Sequence, residues 1–180
     1  MRTKTILALF LGVILFGCKN DNKEASKQEL IADAQAKIFK VTISAIVKKE
    51  DDFALSYTTD GSVDFKDQPV WQHFKGSENE QQIIFNLPID IYPTQLKFEC
   101  GIKKDQEDIV LKRIILEYNG KTKEMHGEEF RLLFRPDESA CSFDPSTGII
   151  KAFVKDGQRQ KPTFYPQEAN LGPELLKLSM

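Results

Sequence analysis

The chain has 180 residues, 41% of them hydrophobic, with 25 Lys and Arg against 27 Asp and Glu, for a formal net charge of −2. That length suits one domain with its own core. The slight acidic excess argues against nucleic acid as a partner, because phosphate binding needs concentrated Lys and Arg to release counterions, and the pairs Lys48-Lys49, Lys103-Lys104 and Lys112-Arg113 all have acids close by.

Residues 1–17 have a basic start (Arg2, Lys4), an apolar stretch from Ile6 to Phe16 and a small Gly17 before Cys18. This layout predicts a cleaved secretory signal peptide. The apolar stretch has about ten residues, whereas a stable membrane-spanning helix takes about 20. Removing the segment takes two basic residues and no acid, which leaves the remainder more acidic. The segment Leu15-Phe16-Gly17-Cys18 resembles the recognition box of bacterial lipoproteins, with the bulky Phe16 as a departure. The resemblance implies that Cys18 becomes the lipidated N-terminus and that the protein is anchored to the outer membrane through acyl chains, each buried methylene contributing about 0.8 kcal/mol. The other reading is an ordinary signal peptide that leaves Cys18 as a free thiol.

Residues 18–36 begin as a polar stretch with nothing to nucleate a core until Leu30 and Ile31, and read as a tether. The Asn, Asp, Lys and Glu directly after the cysteine resemble lipoproteins of the Bacteroidota, in which an acidic stretch here can direct display on the cell surface. Lys23 interrupts Asp21 and Glu24, so periplasmic and surface-facing display both stay open. Leu30, Ile31, Ala34 and Ile38 are spaced to permit a short amphipathic helix.

From Ile38 the hydrophobic period becomes two: Phe39, Val41, Ile43, Ala45 and Val47 alternate with Lys40, Thr42, Ser44, Ile46 and Lys48, the pattern of a strand with one buried face. Further strands are predicted over 53–58, 70–74, 81–87, 95–100, 109–118, 122–125, 130–134 and 149–155, each bounded by Gly, Pro, Asp or Asn. Asn119-Gly120 predicts a type I′ hairpin. Before it, Ile114, Leu116 and Tyr118 are expected on one face and Leu111, Arg113, Ile115 and Glu117 on the other. Many short strands with little helix predict an all-β, antiparallel β-sandwich of jelly-roll type as a single domain over 37–180. A closed β-barrel is the alternative.

The runs Leu55-Ser56-Tyr57-Thr58-Thr59-Asp60-Gly61, Ile83-Ile84-Phe85-Asn86-Leu87-Pro88, Leu96-Lys97-Phe98-Glu99-Cys100-Gly101 and Ile114-Ile115-Leu116-Glu117-Tyr118 resemble β-sandwich modules of the galactose-binding or carbohydrate-binding kind. This resemblance implies a fold more than a ligand, since one fold hosts many functions.

The chain has no Gly-x-Ser-x-Gly elbow, no phosphate-cradling glycine loop, and no His beside a Ser or Cys spaced as a nucleophile. A non-catalytic binding role is therefore expected. The single tryptophan, Trp71, lies in Pro69-Val70-Trp71-Gln72-His73-Phe74, where Trp71 and His73 share one strand face. A sugar presents apolar C–H faces that stack on a flat ring and hydroxyls that need polar neighbours. Trp71 is the candidate platform, His73 its hydrogen-bonding neighbour, and Tyr57 and Asp60 further candidates; the competing reading makes Trp71 a core residue.

Cys100 and Cys141 form an even pair once Cys18 is set aside, so a disulfide between them is one reading and two buried apolar thiols the other. The two histidines and these cysteines lack the close spacings of zinc ligands, and no metal ligand set is expected. A structural calcium among Asp60, Asp64 and Asp67 is a minor alternative, although the spacing is not that of an EF-hand. In the C-terminal stretch 168–180, Pro173 suits the first turn of a short helix, whose Leu171, Leu175, Leu176 and Leu178 would dock on the domain. Two functions follow: a lipid-anchored, glycan-binding or polysaccharide-associated envelope protein, which wants Trp71 exposed among polar groups, or a structural or assembly subunit that binds another envelope protein, which wants Trp71 buried and an apolar patch around the C-terminal leucines.

Overall fold

The computed structural model describes residues 37–180. The expected signal segment 1–17, the lipid acceptor Cys18 and the tether 18–36 with its short helix lie outside the described residues.

Thirteen strands and two short helices follow in chain order: β1 (Lys40–Ile46), β2 (Asp51–Thr58), β3 (Val70–Phe74), β4 (Gln81–Asn86), β5 (Gln95–Cys100), β6 (Ile109–Tyr118), β7 (Lys121–Met125), α1 (Gly127–Leu133), β8 (Phe134–Pro136), β9 (Cys141–Asp144), β10 (Ile149–Ala152), β11 (Val154–Lys155), β12 (Gln158–Arg159), β13 (Thr163–Pro166) and α2 (Glu168–Ser179). They form a six-stranded sheet ordered β4-β1-β6-β10-β9, with β7 also paired to β6, and a five-stranded sheet ordered β3-β2-β5-β13-β8. Every pairing is antiparallel. The chain crosses between the two sheets after β1, β3, β4, β5, β7 and β8, and again between β10 and β13, the crossing pattern of a sandwich and not the successive hairpins of an up-and-down barrel. Both sheets have open edges, so the fold is an all-β sandwich and the closed barrel is excluded.

The alternation that predicts β1 places Phe39, Val41, Ile43, Ala45 and Val47 at no more than 1% exposure. Phe53, Leu55, Leu96 and Phe98 meet them from the facing sheet as part of one core. Phenylalanines supply much of its volume: Phe98 and Phe134 lie edge to face with centroids 4.9 Å apart, and Phe130 sits 5.1 Å from both Phe134 and Phe164. Each such pair adds about 0.5–1.5 kcal/mol beyond its buried area.

The hairpin at Asn119-Gly120 forms as its chemistry requires, with φ of 50° and 75° and Tyr118 opposite Lys121. The expected faces of β6 need correction. Leu111 was expected opposite Ile114, yet both are buried. The pairing with β1 shifts register between Ser44 and Ala45, so that Arg113 opposes Ser44 while Leu111 opposes Ala45. The extra residue, Lys112, makes a β-bulge, which moves everything before it to the other face.

The segment 130–134 is not a strand. It divides into α1 and β8, because Phe130, Leu133 and Phe134 bury one helical stripe while Leu132 between them is 61% exposed. The expected strand 149–155 is interrupted at Phe153, whose N–H still donates to the Ala140 carbonyl (2.8 Å) in the β9–β10 register, and beyond it β11 leaves β9 to pair with β12 across Asp156-Gly157. In α2 the helix begins at Glu168, so Pro173 lies inside it and not in its first turn. Leu171, Leu175 and Leu178 dock on the core as expected, but Leu176, expected with them, is 51% exposed.

A buried carboxylate fastens the end of β2. Asp51, with 0% exposure, accepts the backbone N–H groups of Asp52 (2.8 Å), Ile102 (2.8 Å) and Lys103 (3.0 Å), and the Gln106 amide at 3.1 Å. Gly101 has φ +81°, and a Cβ there would fall 2.6 Å from Asp51 Oδ2. Only glycine lets the carboxylate sit so close. Cys100 and Cys141 are both buried and both free thiols in this structure. Burial pushes the Cys100 thiol well above its usual range, and does the same for Cys141.

Candidate functional site

The five-stranded sheet presents a surface built from residues that alternate with the core. On β2 the inward residues are Phe53 and Leu55, with Tyr57 packed against the same core, so Asp52, Ala54, Ser56 and Thr58 face outward. Pairing carries that face across the sheet: His73 opposes Asp52, Trp71 opposes Ala54, Glu99 opposes Ala54 from the other side, and Lys97 opposes Ser56. Trp71, Ala54 and Glu99 thus form one row across three strands, with Trp71 and Glu99 about 10 Å apart at the backbone.

Trp71 is 46% exposed, the indole standing on an edge strand whose pattern alternates outward Trp71 and His73 with inward neighbours. Ala54 beside it is only 1% exposed, so the larger side chains on either side close over this methyl. His73 Nδ1 lies 2.8 Å from Asp52 Oδ1. When Nδ1 donates there, Nε2 is left to accept a hydrogen bond.

Across the row, Glu99 is 9% exposed and carries two lysines: Lys161 Nζ at 2.8 Å on Oε2 and Lys97 Nζ at 3.3 Å on Oε1. Burial works against its charge, but the hydrogen bond and charge of Lys161, with the charge of Lys97, win and hold the carboxyl below its usual range. Lys97 also lies over the Phe65 ring at 5.4 Å, which brings the β2–β3 loop to the same part of the sheet. Farther along β13, the Arg135 guanidinium lies 5.1 Å from the Tyr165 ring. The surface therefore has an exposed indole, a histidine–aspartate pair and a carboxylate clamped by lysines.

Of the residues singled out from sequence, this face gathers Trp71 and His73 alone. Tyr57 packs against the core from the opposite face of β2. Asp60 sits in the loop two residues beyond Thr58, which is itself about 13 Å along the strand from Ala54, and its Oδ1 accepts the Ser62 N–H at 3.0 Å. Hydrogen bonds from Ser62 hold the Asp60 carboxyl below its usual range. Asp64 pairs with Lys66 at 2.5 Å, and no three metal-ligating side chains converge among the described residues, so Asp60, Asp64 and Asp67 form no calcium cradle here.

Sequence reading missed Glu99, Lys97, Phe65 and Lys161. The alternation of Leu96 and Phe98 with Lys97 and Glu99 carried the signal for two of them, since it puts both charges on the outward face. Nothing local in the sequence points Phe65 or Lys161 at that face. Fold and surface together define the class: an all-β sandwich with an exposed aromatic and charged face on one sheet. No protein-family model, curated protein or solved structure matches the chain.

Proposed function

We propose that this is a non-catalytic, lipid-anchored envelope protein whose outer sheet face binds carbohydrate, with Trp71 as the stacking platform. The exposure of the only tryptophan, on an outward face between a His–Asp pair and a lysine-clamped carboxylate, carries the reading. Indole faces attract the C–H face of a pyranose, and fixed charged acceptors and donors suit its hydroxyls. Glu99 with Lys97 and Lys161 supplies both kinds within one row of the sheet. The assembly-subunit reading wants the indole buried and the C-terminal leucines open; Leu171, Leu175 and Leu178 instead point into the core, while Leu176 is exposed.

The test is a glycan array probed with the chain from residue 18 carrying Cys18→Ser, beside the same chain with Trp71→Ala, both checked for fold by circular dichroism. Binding that drops at least about fivefold in the folded Trp71→Ala chain is expected, in keeping with the loss of a stacked ring worth about 1 kcal/mol or more. Failure to bind any glycan overturns the proposal and turns the search to protein partners.

A further inference from the structure

A second site lies farther along the five-stranded sheet, where α2 crosses its end and Gln95 opposes Thr58, four residues along β2 from the Trp71 row. A cavity of about 320 Å³ opens between Leu175 and Leu176 of α2 and the segment Tyr92-Pro93-Thr94-Gln95 that leads into β5. Its size falls within the range of small-molecule pockets.

The polar groups around it are already spent, with one exception. The Tyr92 hydroxyl donates to the Leu175 carbonyl. Thr94 Oγ1 donates to the Thr58 carbonyl at 3.1 Å and accepts the Gly61 N–H at 2.8 Å. Ser179 Oγ donates to the Leu176 carbonyl at 2.8 Å. Gln95 is different: it lines the cavity, is only 5% exposed, and its Oε1 has no hydrogen-bond partner. An unmet buried acceptor of this kind costs about 1–3 kcal/mol. Half a turn of the carboxamide exchanges Oε1 and Nε2, so Gln95 can offer an acceptor or a donor from the same place.

The cavity stays open because of an unusual pair in α2. Gly172 precedes Pro173 inside the helix, and a side chain at a pre-proline position conflicts with the proline ring in helical geometry. Glycine relieves that conflict and leaves the wall bare: the nearest neighbour of a Cβ at Gly172 would be Gln95 Nε2, at 3.6 Å.

We propose that this cavity binds a compact, largely apolar molecule bearing one hydroxyl, its body against Leu175, Leu176 and Pro93 and its hydroxyl on the Gln95 carboxamide. The site shares no residue with the Trp71 row, from which it is about 13 Å away along the strand.

The test uses 1-phenylethanol and ethylbenzene, which differ only by the hydroxyl, titrated into the ¹⁵N-labelled chain from residue 18 carrying Cys18→Ser and followed by amide chemical shifts. Saturable shifts at Gly61, Thr94, Leu175 and Leu176 are expected for the alcohol. In Gln95→Leu the ratio of alcohol to hydrocarbon affinity should fall about fivefold, the size of one net hydrogen bond. Leu176→Trp, at an exposed rim position that leaves the core alone, should weaken both probes and serves if Gln95→Leu does not fold. Shifts that do not saturate, an unchanged ratio in folded Gln95→Leu, or unchanged binding in Leu176→Trp would each overturn the proposal.

Discussion

Glu99 shows how one residue can be both structural and exposed to function. Its carboxylate is nearly closed to water, and it stays charged because Lys161 and Lys97 each take one oxygen. Its pKa in the fold lies below the ordinary 4.5. A group depressed by folding adds stability above its unfolded pKa and loses it as pH falls through the folded value. The expected consequence is a urea midpoint that Glu99 supports at neutral pH and that declines below about pH 4.5. Glu99→Gln should lower the midpoint at pH 7 and flatten the part of the acid decline due to this group. Parallel pH profiles for the two proteins would show that the ion pairs are not coupled to folding. Trp71 needs no such support, since its place on the outward face of an edge strand keeps the ring in water.

Among the elements, β6 and the β9–β10 hairpin depend on each other. The bulge at Lys112 keeps Ile109 and Leu111 on the core side along with Ile114 and Leu116. Just before it, the Leu111 N–H donates to the Gly148 carbonyl at 2.8 Å. Gly148 has φ +76°, and a Cβ there would lie 2.2 Å from the Leu111 carbonyl oxygen, whereas Gly120, at φ +75°, has nothing within 4 Å of its Cβ position. The two glycines separate backbone strain from contact. Gly120→Ala should cost about 1 kcal/mol, the left-handed penalty alone. Gly148→Ala carries the same penalty and a backbone clash, and should cost at least about 3 kcal/mol. Urea denaturation of the two variants checks this, and equal losses would mean that the hairpin moves aside freely. The helix α1 is a different lesson at this scale: the Phe130, Leu133, Phe134 stripe was visible in the sequence, but a run of only five residues fits a strand as well.

At the scale of the molecule, two sheets enclose one core, α2 covers one end of it, and no helix among the described residues is long and apolar enough to cross a membrane. On the proposed reading, attachment to the envelope rests on acylation of Cys18. Cys18→Ser should shift the protein from the membrane fraction to the soluble fraction, read by fractionation and immunoblot, with fold and thermal melting of the 37–180 domain unchanged. Retention of Cys18→Ser in the membrane fraction would show that something other than acylation holds it there.

The sequence by itself determined the all-β class, most strand positions and the hairpin at Asn119-Gly120, because period-two burial and turn chemistry are local and survive in any arrangement of the strands. Asp156-Gly157 carried the same turn signal at the end of the expected strand 149–155, but the two-residue strand beyond it, Gln158–Arg159, is too short to show a period. Which of two faces Trp71 occupies also followed from alternation. Whether that face meets water did not, since exposure depends on which sheet a strand joins and at which edge. Tertiary structure alone decided that β3 is an edge strand, that Lys161 reaches Glu99 across more than sixty positions of sequence, and that Tyr57 turns inward. It also decided that Leu111 crosses to the core face through a bulge. These outcomes rest on contacts between segments far apart in the chain, whose pairing and register no local pattern encodes.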